Sequence, residues 1–214
     1  MNHLLTKKKY WDTVYQGKPT KELGWFQEEP SVSLDLITSS GINKDARIID
    51  IGGGDSFLVD RLLELGYSNI TVLDLSESAI ERGKQRLGLK GSKVQWICTD
   101  ILEFDTNEKF DLWHDRACFH FLTDKSDSQI YLTKLEQFLA EKGTMVLGVF
   151  SKTGPKKCSG LPIQQYDTTA IKQHFKPNFH LEKSLEAIHI TPSSANQNYV
   201  FCRLKKNNLK NPKL

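Results

Sequence analysis

The chain has 214 residues, of which 38% are hydrophobic and 26% charged, with a net charge of +3. That length suits one well-buried α/β domain, and so small a charge, spread over scattered lysines, argues against a nucleic-acid partner. No apolar run approaches the roughly 18 residues of a membrane span, and Met1 to Lys9 lacks the apolar stretch of a secretory signal, so no membrane attachment and a cytoplasmic location are expected. Cys98, Cys118, Cys158 and Cys202 show no Cys-x-x-Cys spacing, so neither disulfides nor zinc are expected; Cys98 and Cys202 fall in expected strands and read as buried thiols.

Residues 7–16 read as a short helix showing Tyr10, Trp11, Val14 and Tyr15 partly on one side. A turn through Gly17-Lys18-Pro19 leads to Gly24-Trp25-Phe26-Gln27. These aromatics either cap an open face of the core or fold over a ligand as a wall of its pocket. After Pro30, Ser31 to Ile37 reads as a helix ending near Gly41.

The chain is organised around the next stretch. Ile48-Ile49-Asp50-Ile51 reads as a buried strand, Gly52-Gly53-Gly54 as a tight turn, and Phe57 to Leu65 as an amphipathic helix closed by Gly66. Glycines there let the backbone approach a ligand closely, and a helix N-terminus offers free N–H groups above the turn. A turn that needs glycine only for its own geometry is the plainer alternative. The dinucleotide fingerprint requires a further glycine where this chain has Phe57. A carboxylate at Asp50 would also repel a pyrophosphate and suits a cationic ligand. S-adenosylmethionine, with its sulfonium and ammonium groups, fits that requirement better than NAD.

A second strand begins at Asn69 and ends in Asp74, 20 residues beyond Gly54. A strand-end carboxylate at that spacing can accept from both ribose hydroxyls. Ser76 then caps a helix running to Leu87, with acids early and bases late. A third strand, Lys93 to Thr99, ends at Asp100, which can accept from an adenine amino group while Ile101 packs on the ring. Each Asp alone also suits an N-cap, but three at successive strand ends fall on the edge where open α/β sheets bind ligands.

The fourth strand, Phe110 to Trp113, runs into His114-Asp115-Arg116-Ala117-Cys118-Phe119-His120, a run dense in chemical side chains. A helix from Ser126 to Leu139 is expected to stop at Gly143, and Thr144 to Phe150 is the fifth strand. The Gly/Pro-rich loop 151–162 carries Cys158 beside two lysines and is a plausible lid. A short helix, Thr168 to Phe175, precedes two strands, about His180–Thr191 and Gln197–Leu204, that can pair as an antiparallel hairpin. A basic tail, 207–214, is expected to fray.

The segments Ile48 to Ser56, Val72 to Ser76 and Cys98 to Ile101 resemble motifs I, II and III of class I S-adenosylmethionine-dependent methyltransferases, over residues 8 to about 205. Ser56 stands where the family usually has the third glycine. The aromatic N-terminus is also similar to lysine methyltransferases of elongation factor 1A. The His-Asp-Arg-Ala and Lys-Cys-Ser-Gly-Leu-Pro segments are similar to small bacterial methyltransferases.

The resemblance implies a Rossmann-like three-layer sandwich: a seven-stranded, mostly parallel sheet of order 3-2-1-4-5-7-6 with strand 7 reversed, residues 46–206 forming the core and 1–45 a cap. It implies S-adenosylmethionine as cofactor, S-adenosylhomocysteine as product and no metal. The cofactor is expected at Trp11, Asp50, Gly52, Gly53, Gly54, Asp74, Leu75, Asp100, Ile101, His114 and Asp115. The acceptor, a small molecule or a protein lysine offering N, O or S, is expected at Trp25, Phe26, Arg116 and Cys158. Asp115 and His120 are the expected catalytic pair, because deprotonating a lysine of ordinary pKa at pH 7 costs about 4–5 kcal/mol. A non-catalytic cofactor-binding module and an NAD-dependent reductase remain as alternatives.

Overall fold

In the computed structural model, residues 3–207 are described, so all but Asn207 of the expected basic tail lies outside them. One seven-stranded sheet runs in the order β3-β2-β1-β4-β5-β9-β8. Its strands are β1 (Arg47–Ile51), β2 (Asn69–Asp74), β3 (Val94–Cys98), β4 (Phe110–Arg116), β5 (Leu139–Phe150), β8 (Phe179–Ile190) and β9 (Asn196–Lys206). A two-residue pair, β6 (Lys157–Cys158) and β7 (Leu161–Pro162), stands apart. Counting only the sheet, the order is the expected 3-2-1-4-5-7-6. The reversed strand is β9, antiparallel to both β5 and β8.

The helices are α1 (His3–Gly17), α2 (Ser31–Thr38), α3 (Leu58–Glu64), α4 (Glu77–Leu87), α5 (Lys125–Phe138) and α6 (Thr168–His174). The period-two alternation of β1 divides the core. Ile49 and Ile51 pack with Leu135 and Phe138 of α5 and Ile171 of α6. Ile48 packs on the other face with Leu36 and Ile37 of α2 and Leu62 of α3. Helices therefore cover both faces, as right-handed crossovers between parallel strands require. No helix among the described residues is long and apolar enough to cross a membrane.

Two boundaries and one burial differ from the sequence reading. β4 continues through Arg116 rather than ending at Trp113, because His114 and Asp115 hold ladder positions beside β1 and β5 and find buried hydrogen-bond partners there. Gly143 does not stop a helix: α5 ends at Phe138, and β5 begins at once with a register shift before Thr144. A Cβ at Gly143 would come within 2.8 Å of Leu139 Cδ1, so close packing is what the glycine serves. Cys98 is exposed, since β3 is an edge strand, whereas Cys202 is buried as expected.

Candidate functional site

The glycine turn after β1 is drawn tightly onto its neighbours. The Gly52 and Gly53 N–H groups both donate to the Leu73 carbonyl, at 2.7 and 3.2 Å. Gly52 and Gly54 have φ of +65° and +44°, a region that favours glycine. A Cβ on Gly54 would lie 2.8 Å from Asp74 Oδ2 and 2.9 Å from the Tyr15 hydroxyl. Arg86 of α4 fixes the far side of the turn by donating to the Asp55 and Ser56 carbonyls at 2.6 and 2.8 Å, and it pairs with Asp60 at 2.8 Å. Thr20 Oγ1 donates to the buried Asp55 at 2.6 Å.

Above the sheet's carboxyl edge lies a cavity of about 460 Å³. Its floor includes Gly52, Leu73, Asp74, Leu75, Thr99, Asp100 and Ile101, from the ends of β1, β2 and β3. Asp74 is buried at the tip of β2, where Oδ1 accepts from the Ser76 N–H at 2.7 Å. Burial pushes its carboxyl up to about 7. Asp100 Oδ1 accepts from the Leu102 N–H at 3.0 Å.

Helix α1 roofs this cavity with Tyr10, Trp11 and Tyr15. Trp11 meets Phe121 and Trp25 edge-on, with ring centroids 5.1 and 6.1 Å apart. Polar contacts fasten the roof on both sides. Asp12 accepts from Ser76 Oγ at 2.7 Å and from the Ser78 N–H at 3.1 Å. Lys8 pairs with Glu77 at 3.1 Å and Lys7 with Asp127 at 3.8 Å. The Tyr10 hydroxyl donates to the Ser159 carbonyl in the turn between β6 and β7.

Of the residues expected at a site, Trp11, Trp25, Gly52, Asp74, Leu75, Asp100, Ile101, Arg116 and Cys158 come together around the cavity. Asp50, Gly53, Gly54, Phe26, His114, Asp115 and His120 are not part of its lining, and for the acids and histidines the reason is prior engagement. Asp50 and His114 face α2: the His114 Nδ1 lies 2.6 Å from Asp50 Oδ1 and its Nε2 lies 2.8 Å from Ser33 Oγ, all three buried. With Phe26 and Gly53 they border an adjoining small cavity of about 40 Å³, which shares Trp25, Gly52 and Arg116 with the large one. Phe26 packs edge-on against Phe57.

Asp115 faces α5 and is fully buried. Its oxygens accept from the Cys118 and Phe119 N–H groups at 3.0 Å and from the Tyr131 hydroxyl at 2.8 Å. Burial lifts its carboxyl to about 6 against those hydrogen bonds, which lower it. His120 is also fully buried, and burial, with the Arg116 charge, depresses it to about 3. Its Nδ1 accepts from the Phe150 N–H at 3.4 Å. Neither residue lines the cavity. Burial raises the Cys158 thiol to about 11, so it is not an activated nucleophile.

Thr99, Phe121 and Leu122 line the cavity without having been expected there, and Tyr15, one of the aromatics read as a possible pocket wall, lines it as well. Tyr15 follows Trp11 by four residues and so shares its helix face, a signal that was available. For Phe121 none was, because a three-residue 3-10 turn (Phe119–Phe121) sets its direction.

The methyltransferase domain family matches residues 42–209. Among curated relatives, EEF1A lysine methyltransferase 2 of Danio rerio is 27% identical over 198 residues, covering 85% of this chain and 78% of that protein. A malonyl-[acyl-carrier protein] O-methyltransferase of Anoxybacillus flavithermus is 32% identical over 105 residues, covering 48% of this chain and only 38% of its own length. Among solved structures, the N-methyltransferase NodS of Bradyrhizobium japonicum with S-adenosyl-L-homocysteine superposes with a TM-score of 0.66 at 21% identity, covering 82% of this chain and 84% of that one. A protein from a study of disulfide-to-thioacetal conversion in echinomycin biosynthesis gives 0.78 at 19% identity, covering 95% and 94%.

Proposed function

The chain belongs to the methyltransferase domain family, and we propose that it transfers a methyl group from S-adenosylmethionine to a small-molecule acceptor. The observation that carries this reading is the 460 Å³ cavity, roofed by α1 and fastened along both of its sides. Its volume, within the roughly 300–1,000 Å³ of small-ligand pockets, supports the cofactor, and the roof over it is what favours a small acceptor over a protein side chain.

The residues around it fit the cofactor. In this reading the Asp74 carboxylate accepts from two ribose hydroxyls and Asp100 from an amino group, while Leu75, Ile101 and Trp11, which also line the cavity, offer apolar surface for a flat ring. When bound, S-adenosylmethionine supplies a methyl already activated by the positive charge on sulfur. The chain's own task is then to align the acceptor and exclude water. Asp115 is held by three hydrogen bonds and His120 by the Phe150 N–H, both away from the cavity lining. An acceptor whose nucleophile needs no strong base at neutral pH suits that arrangement.

A protein lysine is the second reading, favoured by the relative named for that activity, which matches over 85% of this chain. Incubation with methyl-labelled S-adenosylmethionine and host lysate, split into protein and small-molecule fractions, separates them. Label is expected in the small-molecule fraction. Label on protein lysine supports the second reading, and cofactor binding without any labelled product would leave a non-catalytic binding module.

A further inference from the structure

We propose that Arg116 anchors a carboxylate carried by the methyl acceptor, an inference that rests on the small-molecule reading above. Arg116 is the last residue of β4 and lines the large cavity beside Trp25, Cys118, Phe121 and Cys158. Its Nη1 donates to the Trp25 carbonyl at 2.9 Å. Nε and Nη2 are shut away from solvent with no hydrogen-bond partner. The guanidinium lies over the Tyr199 ring, 4.9 Å from its centroid. Among the described residues it makes no ion pair. The neighbouring acids are already engaged, Asp115 by two N–H groups and Tyr131, Asp50 by His114.

A partly buried guanidinium with idle donors and no counter-charge is costly, and the surroundings compound the deficit. His120 accepts through Nδ1, so its proton sits on Nε2, which is buried without a partner; the Tyr199 hydroxyl is too. The two are linked through Phe150, whose ring centroid is 4.7 Å from that of His120 and 4.8 Å from that of Tyr199. Of these three side chains only Arg116 lines the cavity, so the donors that a ligand there can meet are those of its guanidinium. A carboxylate meets that need, because its two oxygens match the parallel N–H bonds of a guanidinium edge. It would share Nη1 with the Trp25 carbonyl and gain Nη2 by a shift of the side chain that opens this now enclosed donor to the cavity. Acids near the mouth do not reverse the sign: Asp127 is paired with Lys7, and Asp124 is exposed.

The test uses protein saturated with S-adenosylhomocysteine and three probes of one shape: benzoate, benzamide and benzylamine. Benzoate alone is expected to raise the melting temperature. Arg116→Lys keeps the charge but loses the fork, and its benzoate affinity is expected to fall at least about tenfold, with S-adenosylhomocysteine affinity held within about twofold. Benzamide or benzylamine matching benzoate, benzoate giving no shift, or unchanged benzoate affinity in Arg116→Lys each overturns the proposal. Should that variant not fold, the three probes on the wild type decide alone. A wild type that S-adenosylhomocysteine itself fails to stabilise sinks the methyltransferase reading first.

Discussion

The ends of β2 and β3 and the end of β4 sit side by side on one sheet edge, yet they use their polar residues in opposite ways. At β2 and β3, Asp74 and Asp100 each spend one oxygen on a nearby backbone N–H and still border the cavity. At β4, His114 and Asp115 are turned to opposite faces and consumed by partners inside the protein, leaving only Arg116 at the cavity. A side chain's chemistry matters to function only if its neighbours have not already used it. A dense run of chemical residues in sequence does not by itself show which side chains will face a cavity.

The sharpest way to break this contrast is to remove Asp115. Asp115→Ala leaves two buried N–H groups and the Tyr131 hydroxyl without their acceptor, so a loss of about 3–4 kcal/mol is expected in urea unfolding, with S-adenosylhomocysteine affinity of the folded fraction nearly unchanged. A stable variant with abolished turnover would instead restore Asp115 to catalysis. Its titration gives a second signature. The folded-state value, about 6, lies above the unfolded value of about 3.9. The folded form therefore holds the proton more tightly, and the stabilisation present below about pH 4 is lost as pH rises through 6. Relative to the wild type, Asp115→Asn should gain about 2–3 kcal/mol between pH 4 and 7.

Asp74 is the counterpart on the other side. Asp74→Ala should weaken S-adenosylhomocysteine binding about a hundredfold by calorimetry, with a smaller effect on folding, because the carboxylate faces the cavity and is desolvated there. Since burial raises its carboxyl to about 7, the accepting form is lost as pH falls through 7. Wild-type affinity should drop below that point, and Asp74→Asn should be flat across it. Wild-type affinity independent of pH between 6 and 8 would rule out the ribose role.

What the sequence revealed follows the same division. The glycine turn, Asp74 at the tip of its strand and the Ser76 cap, whose Oγ accepts from the Ala79 N–H at 3.2 Å, are local patterns in which the reason for each residue lies within a few positions. The closing hairpin was legible for the same cause: two long strands joined by a short turn pair with each other. The roles of Asp50 and Asp115 were not, because His114 is 64 residues from Asp50 and Tyr131 is 16 from Asp115, on another element. Nor was the true length of β4, since polar residues enter a buried strand only when tertiary partners satisfy them.

Gly54 joins the two behaviours, and its substitution should have an intermediate effect. An Ala Cβ there meets Asp74 Oδ2 and the Tyr15 hydroxyl at a positive φ. Gly54→Ala should therefore cost about 1–2 kcal/mol of stability and weaken S-adenosylhomocysteine several-fold by displacing Asp74. If stability falls and binding does not, the turn serves the fold alone.

The smallest effect belongs to the roof. Lys7 and Asp127 are separated by 3.8 Å, with about a third of each side chain exposed, a geometry in which water and salt screen most of the attraction. Lys7→Ala should change folding stability by less than about 1 kcal/mol. Its effect should appear in exchange instead, because this pair is one of the fastenings across the cavity mouth. Removing it should speed S-adenosylhomocysteine release in stopped-flow displacement while leaving Asp12, Ser76 and Ser78 to hold the other side. Equal release rates in Lys7→Ala and the wild type would mean that the Asp12 contacts alone govern the roof. Access to the cavity would then be set on the β2 side, the same side that supplies the acids.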